Sequence, residues 1–173
     1  MTNVGVAIAS VTVVALLLIM AGEAVLSAFN ESQLRAKGAI EPPGDVIHTM
    51  RWAYPLAFVA MGVEGALTGP APRDVLMYGL ALLGVAKALK LWAITTLGSR
   101  WTYKVLVLPN TPLIKSGPYQ FLSHPNYLAV VGEIASVAMM VWAPITGVLA
   151  AIGFGWLMIK RIAVEDRALG RIK

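Results

Sequence analysis

Cysteine is missing from the chain and charge is scarce. Without cysteine there are no disulfides, no thiolate metal sites and no thiol nucleophile. Charged residues make up only 13% of the sequence, where a soluble globular domain carries about 25%. The opening run, "MTNVGVAIASVTVVALLLIM", lacks the basic n-region that a cleavable signal peptide places before its apolar core, so it reads as a retained first span. Neither an internal repeat nor a low-complexity stretch interrupts the chain. Nor is there a basic groove. The formal net charge is +5, but the lysines and arginines are scattered at the ends of apolar segments, which is a membrane pattern and argues against a nucleic-acid partner.

What the chain has in abundance is apolar surface. Of its 173 residues, 58% are hydrophobic, and the mean hydropathy is +0.73. A soluble chain this short cannot bury so much of it, because a small domain leaves a large share of its surface in water. The reading is an all-α integral membrane protein whose residues 1–173 form a single transmembrane domain with the lipid bilayer as its partner.

A helix needs roughly 20 apolar residues to cross a bilayer. The pattern predicts five spans: Val4 to Phe29, Ile47 to Leu67, Asp74 to Leu97, Pro125 to Trp142, and Pro144 to Val164. "TGPAPRD" breaks the second from the third, and "WAP" is so short that the last two spans must form an antiparallel hairpin. The polar connection Gly98 to Ser123 contains "WTYKVLVLPNTPLI", whose β-branched alternation and Pro-Asn-Thr-Pro turn suit a short hairpin or a lid at the membrane surface. Lys and Arg orient the chain N-out and C-in: Arg35, Lys37, Arg51, Arg100, Lys104, Lys115, Lys160, Arg161, Arg167, Arg171 and Lys173 fall inside, and Arg73 outside. The lid, "SHPNY" and the C-terminal tail then share the cytoplasmic side of a bacterial inner membrane.

Three stretches carry chemistry. Pro125 suits the first turn of a helix, which sets Ser123 and His124 at a mouth of free N–H groups and positive dipole, ready for a carboxylate or phosphate. Tyr127 shares that face. The same residues also suit a plain interfacial His and Tyr anchor. Glu133 lies about two turns deeper, where a carboxylate needs a cavity or a partner. Lys87 and Lys90 on the third span are the candidate partners. Glu23 and Glu64 lie nearer segment ends and read as snorkelling or interfacial acids. In the last stretch, Arg161 and Glu165 are four residues apart on one helix face with Asp166 adjacent, and the hairpin should bring them near His124.

"GPYQFLSHPNYLAVVGE" followed by a hairpin and "RIAVEDRAL" resembles the isoprenylcysteine carboxyl methyltransferase family of integral membrane enzymes, over roughly Trp101 to Leu169. "GSRWTYKVLVLPNTPLIKSGPY" and "LRAKGAIE" are similar to a bacterial branch that O-methylates phenolic lipids. The resemblance implies S-adenosylmethionine as methyl donor, bound mainly by residues 98–173, and a lipophilic acceptor of isoprenyl or phenolic type. It places Tyr119, His124, Pro125 and Tyr127 in the cofactor region, and Arg161 and Glu165 in the C-terminal signature as cofactor-binding or catalytic residues. Ala129 stands where the motif has glycine, and Asp166 where it has a second glutamate. No metal is needed. A carboxylate acceptor needs no base at neutral pH, whereas a phenol, with a pKa near about 10, gains from one, and Glu133 or His124 is placed to serve.

Three rival readings stay beside this one. Membrane sterol reductases also carry a His-Pro-Asn-Tyr stretch, but their NADPH calls for more phosphate-binding cations and a longer chain. A phospholipid N-methyltransferase would use the same donor with an amine acceptor. A non-catalytic membrane scaffold would tolerate substitution at His124, Arg161 and Glu165.

Overall fold

Five helices account for most of the chain in the computed structural model, which describes residues 3–170. They are α1 (Asn3–Ala36), α2 (Ile47–Thr68), α3 (Arg73–Leu97), α4 (Pro125–Met140) and α5 (Pro144–Ala168). Arg171 and Lys173, counted above in the charge bias, lie outside the described residues. Prolines open the helices and glycines close them, following the asymmetry of backbone needs at the two ends. Pro125 and Pro144 stand in the first turns of α4 and α5. Gly69 (φ +93°) and Gly98 (φ +55°) take the positive-φ positions that follow α2 and α3. The expected boundaries hold to within a few residues except in α1, which runs on to Ala36 rather than stopping near Phe29. "NESQLRA" has good helix propensity and continues the last turns.

Between α4 and α5 the chain reverses at Trp142 (φ +55°), and Ala143 N–H reaches back to the Ala138 carbonyl at 2.8 Å. That is a Schellman-type closure, and it makes the antiparallel hairpin. α3 packs most extensively on α4, while α1 lies on α2, and α2 and α4 both meet α5. Gly132 permits the close α3–α4 approach, since a Cβ there would lie 3.0 Å from that of Ala86. Phe58, Met61, Ile134 and Val137 fill the centre with no appreciable exposure, and Tyr54 stacks between Phe58 and Phe154 at ring separations of 4.7 and 4.9 Å.

The outside of this bundle is apolar. Val11, Leu18, Val25, Leu67, Val85, Leu91, Ile152 and Ile159 are all exposed, a surface that water does not tolerate and lipid does. Three helices are long and apolar enough to cross a membrane: Val4–Ala36, Arg73–Arg100 and Pro144–Ala168. α2 carries His48, Arg51, Pro55 and Glu64, and α4 has only 16 residues. The protein is a membrane protein.

The connection after α3 holds two short 3-10 turns, Gly98–Arg100 and Gly117–Gln120, and among the described residues there is no strand. The hairpin expected within "WTYKVLVLPNTPLI" does not form. Its β-branched segment pairs instead with the first loop, through one antiparallel bridge between Ile40 and Val107. Glu64 also departs from expectation. It is not a loose interfacial acid, because it accepts from the Ile145 and Thr146 backbone N–H groups at 3.0 and 2.7 Å and so caps α5 from a neighbouring helix.

Candidate active site

The start of α4, the end of α5 and the connection meet at one end of the bundle. His124 occupies the N-cap position of α4 but makes no capping bond to its own helix. Its ring turns to α5: Nε2–H donates to Asp166 Oδ1 at 3.1 Å, and Nδ1 lies 3.6 Å from Glu165 Oε2. Tyr127 donates to that same Glu165 oxygen at 2.9 Å. The tight hairpin is what brings these residues together, and Asp166, despite its shorter reach, touches His124 directly. Ala129 is buried in packing and does not line the cavity described below.

Arg161 is buried and faces three ways. Nη2 donates to the Tyr103 carbonyl and lies 3.7 Å from Asp45 Oδ2, while Nη1 reaches the Met50 sulfur at 3.9 Å. Asp45 in turn accepts from Ile47 N–H at 3.1 Å and Val105 N–H at 3.2 Å. The connection is also tied to α1. Ser27 accepts from Tyr103 N–H at 2.7 Å, Asn30 donates to the Trp101 carbonyl at 2.8 Å, and Lys104 pairs with Glu31 at 2.8 Å. Residues 101–107 therefore form a strapped roof, with Arg161 as its pin from α5. Burial, and then Glu23 beside it, pushes the Tyr103 phenol above its ordinary pKa.

Below the roof lies a charged cluster inside the bundle. Glu133 has no exposure at all. Tyr54 donates to its Oε2 at 2.6 Å, Lys87 lies 3.1 Å from the same oxygen, and Lys90 lies 3.2 Å from Oε1. Both lysines also pair with Glu23, at 3.6 and 2.7 Å. Lys87 and Lys90 are the partners expected for Glu133. Glu23 is not a snorkelling acid, however. Because α1 continues to Ala36, Glu23 falls well inside the helix and pairs with α3.

These parts surround a cavity of about 200 Å³. Tyr119, His124, Pro125, Tyr127, Arg161 and Glu165 line its polar wall. Glu133, expected to line the place where an acceptor would arrive, stands one side chain behind the floor. The groups that face the cavity there are Tyr54 and Lys90. Two polar atoms buried at the cavity's residues have no hydrogen-bond partner: Asn126 Oδ1, an acceptor, and Arg161 Nε, a donor.

Sequence reasoning missed Asp45, Tyr54, Tyr103 and Asn126. Asn126 sat in plain view inside "SHPNY". Asp45 follows a Gly/Pro stop at a helix start, where an acid has a clear capping role. Nothing local marks Tyr54 or Tyr103, whose importance comes from partners 79 and 80 residues away.

An all-helical bundle with an apolar exterior and an internal polar cavity at one end defines an integral membrane protein built around a site. Residues 79–171 match the Isoprenylcysteine carboxyl methyltransferase (ICMT) family, and the chain belongs to that family of membrane methyltransferases. It is similar to the uncharacterized protein YpbQ of Bacillus subtilis, 31% identical over 149 residues that cover 86% of this chain and 89% of that one. It is also similar to an uncharacterized protein of Haemophilus influenzae, 25% identical over 148 residues, covering 85% and 86%. No solved structure matches it significantly.

Proposed function

We propose that the protein transfers a methyl group from S-adenosylmethionine to an oxygen of a lipophilic acceptor, at the cytoplasmic face of a bacterial inner membrane. In this reading all five helices span, N-out and C-in, and the cavity end faces the cytoplasm. Family membership supports methyl transfer. The observation that carries the cofactor is the pair of orphaned atoms at the cavity, Asn126 Oδ1 and Arg161 Nε. A buried polar group without a partner is costly, and an amino-acid moiety offers both complements, an ammonium for the first and a carboxylate for the second.

When bound, S-adenosylmethionine supplies an electrophilic methyl group on a sulfonium. The chain has to hold and orient it. Glu165 and Asp166 suit ribose hydroxyls or the ammonium, while Arg161 and the N–H groups at the α4 mouth suit the carboxylate. Tyr119, Pro125 and Tyr127 shape the wall, and His124 links it to α5. The acceptor enters sideways from the lipid, and the roof at residues 101–107 keeps water from the reacting atoms. Catalysis here is mainly placement of an oxygen in line with the methyl group.

The test is calorimetric titration of the protein in nanodiscs with S-adenosylhomocysteine, with NADPH as a parallel ligand. Micromolar binding of the first, lost in His124→Ala and Arg161→Ala, is the expected result. Binding of NADPH alone would move the protein to the reductase chemistry, and binding of neither would remove the cofactor assignment.

A further inference from the structure

The cavity floor contains a proton acceptor that cofactor binding does not use. Tyr54 faces the cavity and donates its only proton to Glu133 at 2.6 Å. Its oxygen therefore still has a lone pair to offer, and the side that offers it is the cavity side. Glu133 has no exposure and no route to the cavity except through Tyr54. Around Glu133 the groups are Lys87 and Lys90 from α3 and Glu23 from α1, with Tyr103 of the roof against Glu23 at 3.3 Å. α5 contributes the Phe154 ring and no titratable group to Tyr54. Two ammoniums and two carboxylates leave the cluster formally neutral.

We propose that Tyr54 is a catalytic residue that receives the acceptor's hydroxyl proton and relays it to Glu133, so that the acceptor is a lipid with an ionisable hydroxyl that arrives protonated. The proposal rests on the methyl-transfer reading above. In the step, the acceptor O–H bond breaks and its proton bonds to Tyr54 Oη, while the Tyr54 proton passes to Glu133 Oε2. The oxyanion left behind bonds to the methyl group, and the carbon–sulfur bonding pair stays on the departing thioether. Glu133 later returns its proton to solvent.

Charge is what makes the site suit this work. Protonating Glu133 leaves the cluster with one net positive charge, carried by Lys90 at the cavity floor, and the new oxyanion offsets it. No net charge is created in the bilayer, where an uncompensated one is costly. A carboxylate acceptor arrives already ionised and would find the relay without use. An amine acceptor would meet the Lys90 ammonium.

Two measurements test the relay. The first needs no turnover. Ortho-nitro-para-dodecylphenol has a coloured phenolate and is titrated, with S-adenosylhomocysteine present, at a pH below its own pKa. Calorimetry in buffers of different ionisation enthalpy counts the protons released. Wild type should bind the phenolate and keep the proton, whereas Glu133→Gln should release about one proton per ligand. Binding without ionisation, no binding, or release of the proton by wild type overturns the relay.

The second measurement compares single-turnover methylation of para-dodecylphenol, its fluoro- and nitro-substituted forms, and para-dodecylbenzoate. Tyr54→Phe keeps the ring packing and should lose about 100-fold on the parent phenol, progressively less on the more acidic phenols, and almost nothing on the benzoate. A uniform loss on all acceptors would be a packing defect and overturns the relay, as would methylation of the benzoate alone by wild type. If the titration succeeds and wild type methylates nothing, the methyl-transfer reading fails while the proton-accepting floor stands.

Discussion

His124 and Asp166 are 42 residues apart in the chain and 3.1 Å apart at the cavity wall. This contact joins the first residue before α4 to the last turns of α5. It fixes the His124 ring, and Glu165 on the same turn fixes Tyr127. The wall is therefore only as rigid as the hairpin that closes it.

Replacing Asp166 by Asn removes the charge and keeps the size. A hydrogen bond to a charged group contributes about 1.5–3 kcal/mol, so affinity for S-adenosylhomocysteine should fall roughly 10- to 100-fold. Asp166→Glu restores the charge and should recover most of the affinity. Calorimetry on the two variants distinguishes loss of charge from loss of shape.

The roof depends on Arg161. Lysine cannot reproduce its reach to both the Tyr103 carbonyl and Asp45, because it lacks the planar fork. Arg161→Lys should therefore loosen the roof first. Hydrogen–deuterium exchange at residues 101–107 should accelerate by about tenfold or more, for a loss of roughly 1.4 kcal/mol in local closure, while exchange in the centres of α3 and α4 stays as in wild type.

The charged cluster predicts non-additive stability. Glu23→Gln leaves two buried lysines sharing one carboxylate, and breaking a buried pair costs about 3–5 kcal/mol. Adding Lys87→Met restores the balance of charge, with Lys90 still on Glu133. The double variant should unfold later than Glu23→Gln alone in a denaturation series, an interaction that independent sites do not show.

Gly117 gives a fourth test. Its φ is +56°, and a Cβ added there would lie 2.3 Å from Thr96 Oγ1. Gly117→Ala therefore meets both a backbone penalty and a clash, and should shift the turn that carries Tyr119. Combining it with Thr96→Ala removes the clash alone. Cofactor affinity should recover in part, and the residual deficit of about 1–2 kcal/mol belongs to the left-handed backbone.

Much of this fold was legible because helices announce their own ends. Pro125, Pro144 and the "TGPAPRD" break located boundaries to within a residue or two, and the three-residue turn "WAP" required a hairpin. His124, Tyr127, Arg161 and Glu165 followed, since the hairpin dictates which ends meet. The roof was not legible in this way. Val107 pairs with Ile40, a partner that β-branched alternation cannot specify, and the expected local hairpin lost to it. Glu23 was misread because hydropathy marks where an apolar run stops, whereas α1 continues through a polar turn. Tyr54 has an ordinary local context and matters only through Glu133, on another helix.

The cluster of Glu23, Lys87, Lys90 and Glu133 also bears on how the protein is made. Helices enter the bilayer in chain order, so α1 delivers Glu23 before either lysine has been synthesised. Until α3 arrives, that acid has no counter-ion and must stay neutral or near the headgroups. The first helix is thus a poor anchor by itself despite its length and hydropathy. A nascent chain halted before Ala86 would expose one unpaired carboxyl in lipid, a simple mark by which a quality-control protease could tell an unfinished bundle from a completed one.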